Sequence, residues 1–283
     1  IFPNAKKLGG APYNVANSLK ELGLDVSFIS KIGKDELGKQ LLIELKKQKF
    51  PLKYLQIDSI HKTGKVIVKL DKNGSAKYEI IENVAWDFIQ SYPEVLEMVS
   101  KADAFIFGSL IARGSSLNSL YDFLNNSKFR IFDLNLRSPF YNYSLLKDLM
   151  KKSDFLKFND DELKKVTKYM NFNFESLEEN IEFISKKTNT DIICVTRGKD
   201  GAILYYKGEW FYNKGYKIKV KDTVGAGDSF LATLVNGIIL KKPIQKTIDR
   251  SCAMGALVAS SFGANPKITD QDLNTFMINN IQY

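Results

Sequence analysis

Lys221-Asp222-Thr223-Val224-Gly225-Ala226-Gly227-Asp228-Ser229-Phe230 is the stretch that decides the fold. Before it, Lys217-Ile218-Lys219-Val220 alternates polar and apolar residues as a strand does; after it, Phe230, Leu231, Leu234, Val235, Ile238 and Ile239 recur at helical spacing. The glycines are therefore expected at a strand-to-helix turn. Glycine lets backbone amides approach a ligand with no side chain between, and the first-turn N–H groups of a helix lack intrahelical acceptors and carry the positive end of its dipole. The turn reads as a phosphate seat. Asp228 is its odd member, a carboxylate where an anion should bind. It either addresses the group that attacks the phosphate or decorates a first helical turn, where acids are favoured in any case.

Outward from this turn, 283 residues are enough to bury a full core, as one large α/β domain or two smaller ones. Hydrophobic content of 44% with 26% charged residues is ordinary globular composition, and no apolar run approaches the ~20 residues of a membrane span. The net charge of +9 comes mainly from lysine pairs such as Lys46-Lys47, Lys151-Lys152, Lys164-Lys165 and Lys186-Lys187. Such pairs are solvated faces, without the basic stripe and base-reading partners that nucleic acid requires. Neither nucleic acid nor membrane is an expected partner. Cys194 and Cys252 form neither a disulfide framework nor a metal cluster, which suits a reducing cytoplasm. Residues 1–7 have neither a signal-peptide core nor an initiator Met, so the chain is expected to begin mid-sequence.

In order along the chain, Gly9-Gly10-Ala11-Pro12-Tyr13-Asn14 opens a helix that Gly23 ends; proline is tolerated in a first turn, and small residues plus an amide suit a polyol ligand. Val26 to Ile32 is a strand candidate, and Asp35 before the next helix is a cap or a ligand contact. Two alternating segments, Lys65 to Leu70 and Ala76 to Ile81, flank Asn73-Gly74 and predict a hairpin that projects as a flap. His61, the only histidine, precedes it with no assigned role. A strand over Arg130 to Leu134 runs into Asp133, Asn135 and Arg137, which alternation would place on one side, at the strand end where open α/β sheets collect ligands. Asn159 to Glu162 starts a helix, where acids complement the dipole. Thr196 to Gly201 turns into a hairpin, and a helix over Ile244 to Phe262 ends at Gly263-Ala264-Asn265-Pro266.

Taken together, Asp-Thr-Val-Gly-Ala-Gly-Asp-Ser-Phe (222–230), Gly-Gly-Ala-x-x-Asn-Val-Ala (9–16) and Asn-x-x-Glu (159–162) resemble the PfkB (ribokinase-like) carbohydrate kinases over nearly the whole chain. Gly108-Ser109-Leu110, Val84-Ala85-Trp86-Asp87 and Asp133-x-Asn135-x-Arg137-x-x-x-Tyr141 look like the fructokinase branch of that family. The resemblance implies one domain over 1–283: a three-layer αβα sandwich with a mostly parallel central sheet and a small β lid from about 1–8 and 62–84. The lid would cover the sugar and offer a homodimer contact. The resemblance further implies Asp228 as the base for a sugar hydroxyl, with the Gly225, Ala226 and Gly227 amides and Arg137 stabilising the phosphoryl group. Gly9, Gly10, Asn14, Asp133 and Asn135 would contact sugar, and Asn159, Thr196, Gly198, Gly201 and Asn265 would contact ATP. Glu162 would reach Mg²⁺ through water, and Asp222 would border a monovalent cation such as K⁺. The expected reaction is ATP-dependent phosphorylation of a sugar primary hydroxyl, D-fructose to fructose 6-phosphate. A related kinase for ribose, 2-keto-3-deoxygluconate or a sugar phosphate, and a silent sugar-binding regulator, are the alternatives. No P-loop string Gly-x-x-x-x-Gly-Lys-Ser/Thr occurs. One departure stands out: the family's first strand, ending in a sugar-binding Asp, has no counterpart before Gly9 and is expected to be missing.

Overall fold

The computed structural model describes residues 8–70, 76–172 and 174–280. Their contacts divide them into two units, one drawn from Ile1–Gly10, Val26–Val99 and Ile111–Asn126, the other from Ala11–Asp25, Ser100–Leu110 and Ser127–Tyr283. The chain runs α1 (Ala11–Glu21), β1 (Ser30–Gly33), α2 (Glu36–Lys47), β2 (Leu55–Asp58), β3 (Val66–Leu70) and β4 (Ala76–Ile80). It continues through α3 (Pro93–Lys101), β5 (Phe105–Gly108), α4 (Ser116–Asn126), β6 (Arg130–Asp133), α5 (Tyr143–Lys151), β7 (Phe155–Asn159), α6 (Asp160–Tyr169) and α7 (Leu177–Thr188). It ends with β8 (Ile192–Thr196), β9 (Ala202–Tyr206), β10 (Glu209–Asn213), α8 (Ala226–Ile239), α9 (Ile244–Ala259) and α10 (Asp270–Asn279).

In the larger unit six strands pair in the order β10-β9-β8-β7-β6-β5. β5 to β8 are parallel, and β9 and β10 return as an antiparallel hairpin. Parallel strands are covered on both faces and so read as continuous apolar runs; Ile192, Ile193, Cys194 and Val195 are all buried. α1, α8 and α9 pack together, with α9 against β9 and β10, while α6 and α7 pack together against β8. The result is a three-layer α/β arrangement. α8 is buried from Ser229 to Gly237, so the core fixes its axis. Its first turn lies over β7, where a Cβ on Gly227 would come 3.6 Å from Lys157 Nζ.

The smaller unit holds the parallel pair β1–β2 and the antiparallel hairpin β3–β4, with Val66 opposite Ile80 and Leu70 opposite Ala76. Asn73-Gly74 and residues 1–7 of the expected lid lie outside the described residues. Asp35 is a helix cap: its Oδ1 accepts from Gly38 N and Thr63 Oγ1 (2.8 and 2.7 Å), and its Oδ2 from Thr63 N (2.8 Å). Thr63 Oγ1 in turn accepts from Gly33 N (2.9 Å), which ties β1 to the entry of α2.

Several expectations need correction. Lys217–Val220 is not a strand, since no ladder partner meets it and the chain there runs to Lys221 and Asp222, whose N–H groups donate to Ala259 O (2.9 and 3.2 Å). β1 begins at Ser30 rather than Val26 because β2 offers only Leu55–Asp58 for pairing. α9 stops at Ala259, where Ser260 and Ser261 turn their hydroxyls back onto Leu257 O (2.8 and 3.0 Å), a bond that competes with helix continuation. The alternation of Asp133, Asn135 and Arg137 fails beyond Asp133, because Asn135 takes a left-handed φ of 41°. His61, left without a role above, has its Nδ1 3.2 Å from Asp58 Oδ2.

Candidate active site

Two neighbouring strands and one helix start bring a group of charges together. β6 ends on Asp133, and β7 carries Lys157 between the apolar Leu156 and Phe158; Nζ stands 3.0 Å from Asp133 Oδ1, and both side chains are buried. At the start of α6, Glu162 and Asn159 form a reciprocal cap: Asn159 Oδ1 accepts from Glu162 N (2.8 Å), and Glu162 Oε2 accepts from Asn159 N (3.0 Å). The second oxygen, Oε1, accepts from Leu136 N (2.8 Å). Glu162 thus fastens the turn after β6 to α6. Burial raises its carboxyl above the usual range, against the pull of the two amides and Lys157.

Asp228 is the third residue of α8, and its Oδ2 accepts a hydrogen bond from Asn14 Nδ2 (2.7 Å). Asn14 Oδ1 accepts from Asn265 Nδ2 (2.9 Å), and Asn265 Oδ1 from Asn17 Nδ2 (3.4 Å). A chain of amides, each fixing the orientation of the next, therefore ends on this carboxylate. Burial pushes the Asp228 carboxyl up to about 6; the Asn14 bond opposes the rise, Asp133 adds to it, and Lys157 and Arg137 oppose it. A base poised near working pH is what proton abstraction needs.

The turn ahead of Asp228 has one glycine that the fold demands and one that leaves room. Gly225 takes φ 82°, and a Cβ there would lie 2.3 Å from Ala264 O. At Gly227 an added Cβ would meet only Lys157 Nζ, at 3.6 Å, an ordinary contact. Ala226 N–H bends back to Thr223 O at 3.3 Å, a long bond that an incoming anion would have to share. Asp222 joins two loops, its Oδ1 accepting from Val224 N (3.0 Å) and its Oδ2 from Gly263 N (3.1 Å).

Among the remaining candidates, Gly198 (φ 55°) faces open space, whereas Gly201 (φ 82°) is required by the hairpin, a Cβ there falling 2.0 Å from Asn213 O. Thr196 Oγ1 donates to Phe158 O (3.3 Å). Asn135 contributes its backbone carbonyl to Ser109 Oγ (3.3 Å), and exposed Arg137 donates to Leu136 O (3.1 Å) while its charge reaches Asp228. Gly9 and Gly10 belong to the smaller unit; a Cβ on either meets nothing within 4 Å. Sequence reasoning missed Lys157 and Asn17. Lys157 carried a usable signal, since a lysine inside the apolar run Phe155-Leu156-Lys157-Phe158 is costly to bury unless paired.

The sequence model for the pfkB family carbohydrate kinases matches residues 4–271. The chain belongs to this family. Among curated relatives of this PfkB kinase, Fructokinase-2 of Solanum lycopersicum is 26% identical, aligned over 93% of this chain and 84% of its own. The fructokinase of Escherichia coli is 25% identical over 90% and 87%. Among solved structures, a double mutant of the Vibrio cholerae O395 fructokinase with fructose, ADP and potassium ion bound has a TM-score of 0.82 at 22% identity, covering 98% of this chain and 94% of that one. The ribokinase of Thermotoga maritima has a TM-score of 0.80 at 20% identity, covering 96% and 88%. The protein is a PfkB sugar kinase with a ribokinase-like fold. No helix among the described residues is long and apolar enough to cross a membrane.

Proposed function

We propose that this PfkB kinase transfers the γ-phosphoryl group of ATP to the primary hydroxyl of D-fructose, forming D-fructose 6-phosphate in the cytoplasm. The fructokinase relatives, similar over nine-tenths of the chain, support the choice of sugar. The observation that carries the chemistry is Asp228, a mostly buried carboxyl near pKa 6 held by Asn14 at the start of α8. Asp228 orients the hydroxyl and takes its proton, while the N–H groups at Gly225 to Gly227 and the Arg137 guanidinium meet the charge on the moving phosphoryl group. Phosphoryl transfer is loose, so alignment matters more than basicity. Gly9, Gly10, Asn14, Asp133 and Asn135 are the sugar contacts in this reading, and Asn159, Thr196, Gly198, Gly201 and Asn265 border ATP. In this reading the β3–β4 hairpin meets a second copy.

Mg²⁺ fits as a companion of the nucleotide rather than of a protein cage. Among the described residues no group of three or more His, Cys, Asp or Glu side chains is placed to hold a metal. Glu162, with an amide on each oxygen, keeps a lone pair on each for a water of the ion. When bound, Mg²⁺ supplies charge neutralisation at the phosphates. The Asp222 junction of two loops is a source of oxygen ligands for K⁺.

An ADP-coupled assay over fructose, ribose, 2-keto-3-deoxygluconate, tagatose and their phosphates tests the reading. Fructose is expected to give the highest kcat/KM. A tenfold preference for another sugar moves the assignment, and calorimetric sugar binding without ADP production turns the protein into a silent regulator.

A further inference from the structure

Lys157 occupies a position to which none of the motifs above assigns a role. It projects from the centre of a buried strand, with Asp133 Oδ1 at 3.0 Å and Gly227 above it, where a Cβ would lie 3.6 Å from Nζ. The carboxylates of Asp133 on β6, Glu162 on α6 and Asp228 on α8 all act on it, and Cys194 on β8 lies within its field. Asp133 raises the carboxyl of Glu162 and that of Asp228, and a buried ammonium offsets that repulsion in both.

We infer that Lys157 is a positioning residue of the phosphoryl transfer, its ammonium fixing the Asp133 carboxylate and supplying the buried countercharge that lets Asp133 stand beside Asp228, the base of the attacking hydroxyl, and Glu162 beyond it. The inference rests on the kinase reading given above. Charge balance explains why the strand tolerates a lysine: burial works to lower the Lys157 pKa, yet the three carboxylates raise it overall, so the group stays charged. On Asp228 the same ammonium acts against burial and against Asp133, alongside Asn14 from α1 and Arg137 from the turn after β6. Without it, Asp228 would hold its proton to higher pH and Asp133 would lose its anchor.

The test compares Lys157→Met, Asp133→Asn and the double variant with the unaltered chain, recording kcat, KM for fructose, the acid limb of kcat/KM and Tm. Lys157→Met is expected to lower kcat by roughly 10- to 100-fold with KM within about threefold, and to move the acid limb up by about one pH unit. Adding Asp133→Asn removes the charge that Lys157 balanced, so the limb should return towards that of the unaltered chain. Should Lys157→Met fail to fold, the charge-balanced double variant is read against Asp133→Asn alone, and its acid limb should lie higher. A fall in Tm with an unmoved limb and kcat makes Lys157 merely structural and overturns the inference. A tenfold rise in KM at unchanged kcat overturns it too, by making Lys157 a ground-state sugar contact. Absence of ADP production from the unaltered chain with every sugar defeats the kinase reading itself, an outcome separate from either of these.

Discussion

Each unit of this protein buries a lysine against an aspartate, and the two pairs differ in what surrounds them. In the smaller unit Lys31 Nζ lies 3.1 Å from Asp58 Oδ2 and also donates to Phe88 O (2.8 Å) and Gln90 Oε1 (3.5 Å). Asp58 Oδ1 takes the N–H groups of Ile60 and His61 (2.8 Å each), and the His61 ring stacks on Phe88 at 3.6 Å. Burial would raise the Asp58 carboxyl, but these bonds drive it well below the usual range. In the larger unit Lys157 serves three carboxylates, and two of them, Asp228 and Glu162, end above their ordinary values. A pair whose bonds are all filled holds a loop in place; an underbalanced one leaves a carboxyl free to take a proton. Pairs of the first sort lend specificity more than net stability, because desolvation consumes most of the attraction.

Four experiments would break or sharpen that contrast. The largest effect belongs to the underbalanced site: Asp228→Asn should lower kcat by roughly 10²–10⁴ while calorimetry still detects sugar and ATP binding. Undiminished turnover would remove the reason for distinguishing the two sites. Next, Lys31→Met strands the buried Asp58 charge and should cost about 3–5 kcal/mol in denaturant unfolding, with kcat and KM of the folded enzyme unchanged. A changed kcat would show that the filled pair is functional after all. The third effect separates the pairs by sign. Because the Asp228 pKa is raised from 3.8 to about 6, its contribution to stability is full below pH 3.8 and lost as pH rises through 6. Asp228→Asn should therefore stabilise by about 3 kcal/mol at pH 8 and by nothing measurable at pH 4. Asp58 runs the other way, its contribution present above its unfolded pKa and lost as pH falls through its depressed folded one. Equal stability of Asp228→Asn and the unaltered chain at pH 8 would contradict this sign. Smallest is Arg137→Lys, which keeps the charge and loses the planar fork; a drop of about tenfold in kcat with little change in KM is expected from steady-state kinetics.

The parts of the fold that could be read from the sequence were those with local causes. Gly23 ends α1 with φ 85°, the β3–β4 register follows from alternation, and α6 starts at the acids after Asn159, where Asn159 and Glu162 form a capping box that was not anticipated. Lys217–Val220 could not be read, because alternation describes side chains while a strand exists only where a neighbour accepts its ladder. Asn135 was likewise opaque: asparagine tolerates the left-handed backbone, but the turn decides which asparagine adopts it. In the site, Asp228 and Asn14 were each identifiable from a motif, but their bond joins residues 214 apart in sequence, a separation that no local pattern reports. Lys157 was visible as an anomaly in an apolar run, and its meaning lay in carboxylates from three other elements.

Gly225 shows how little slack this machinery has. Ala264 O sits where a side chain would begin, and Ala264 adjoins Asn265, whose amide holds Asn14 and through it Asp228. The turn that would cradle the donor and the prop beneath the base are thus fastened by a single stitch. One methyl group in the wrong place would loosen both, so the two halves of the reaction site stay aligned or fall out of alignment together.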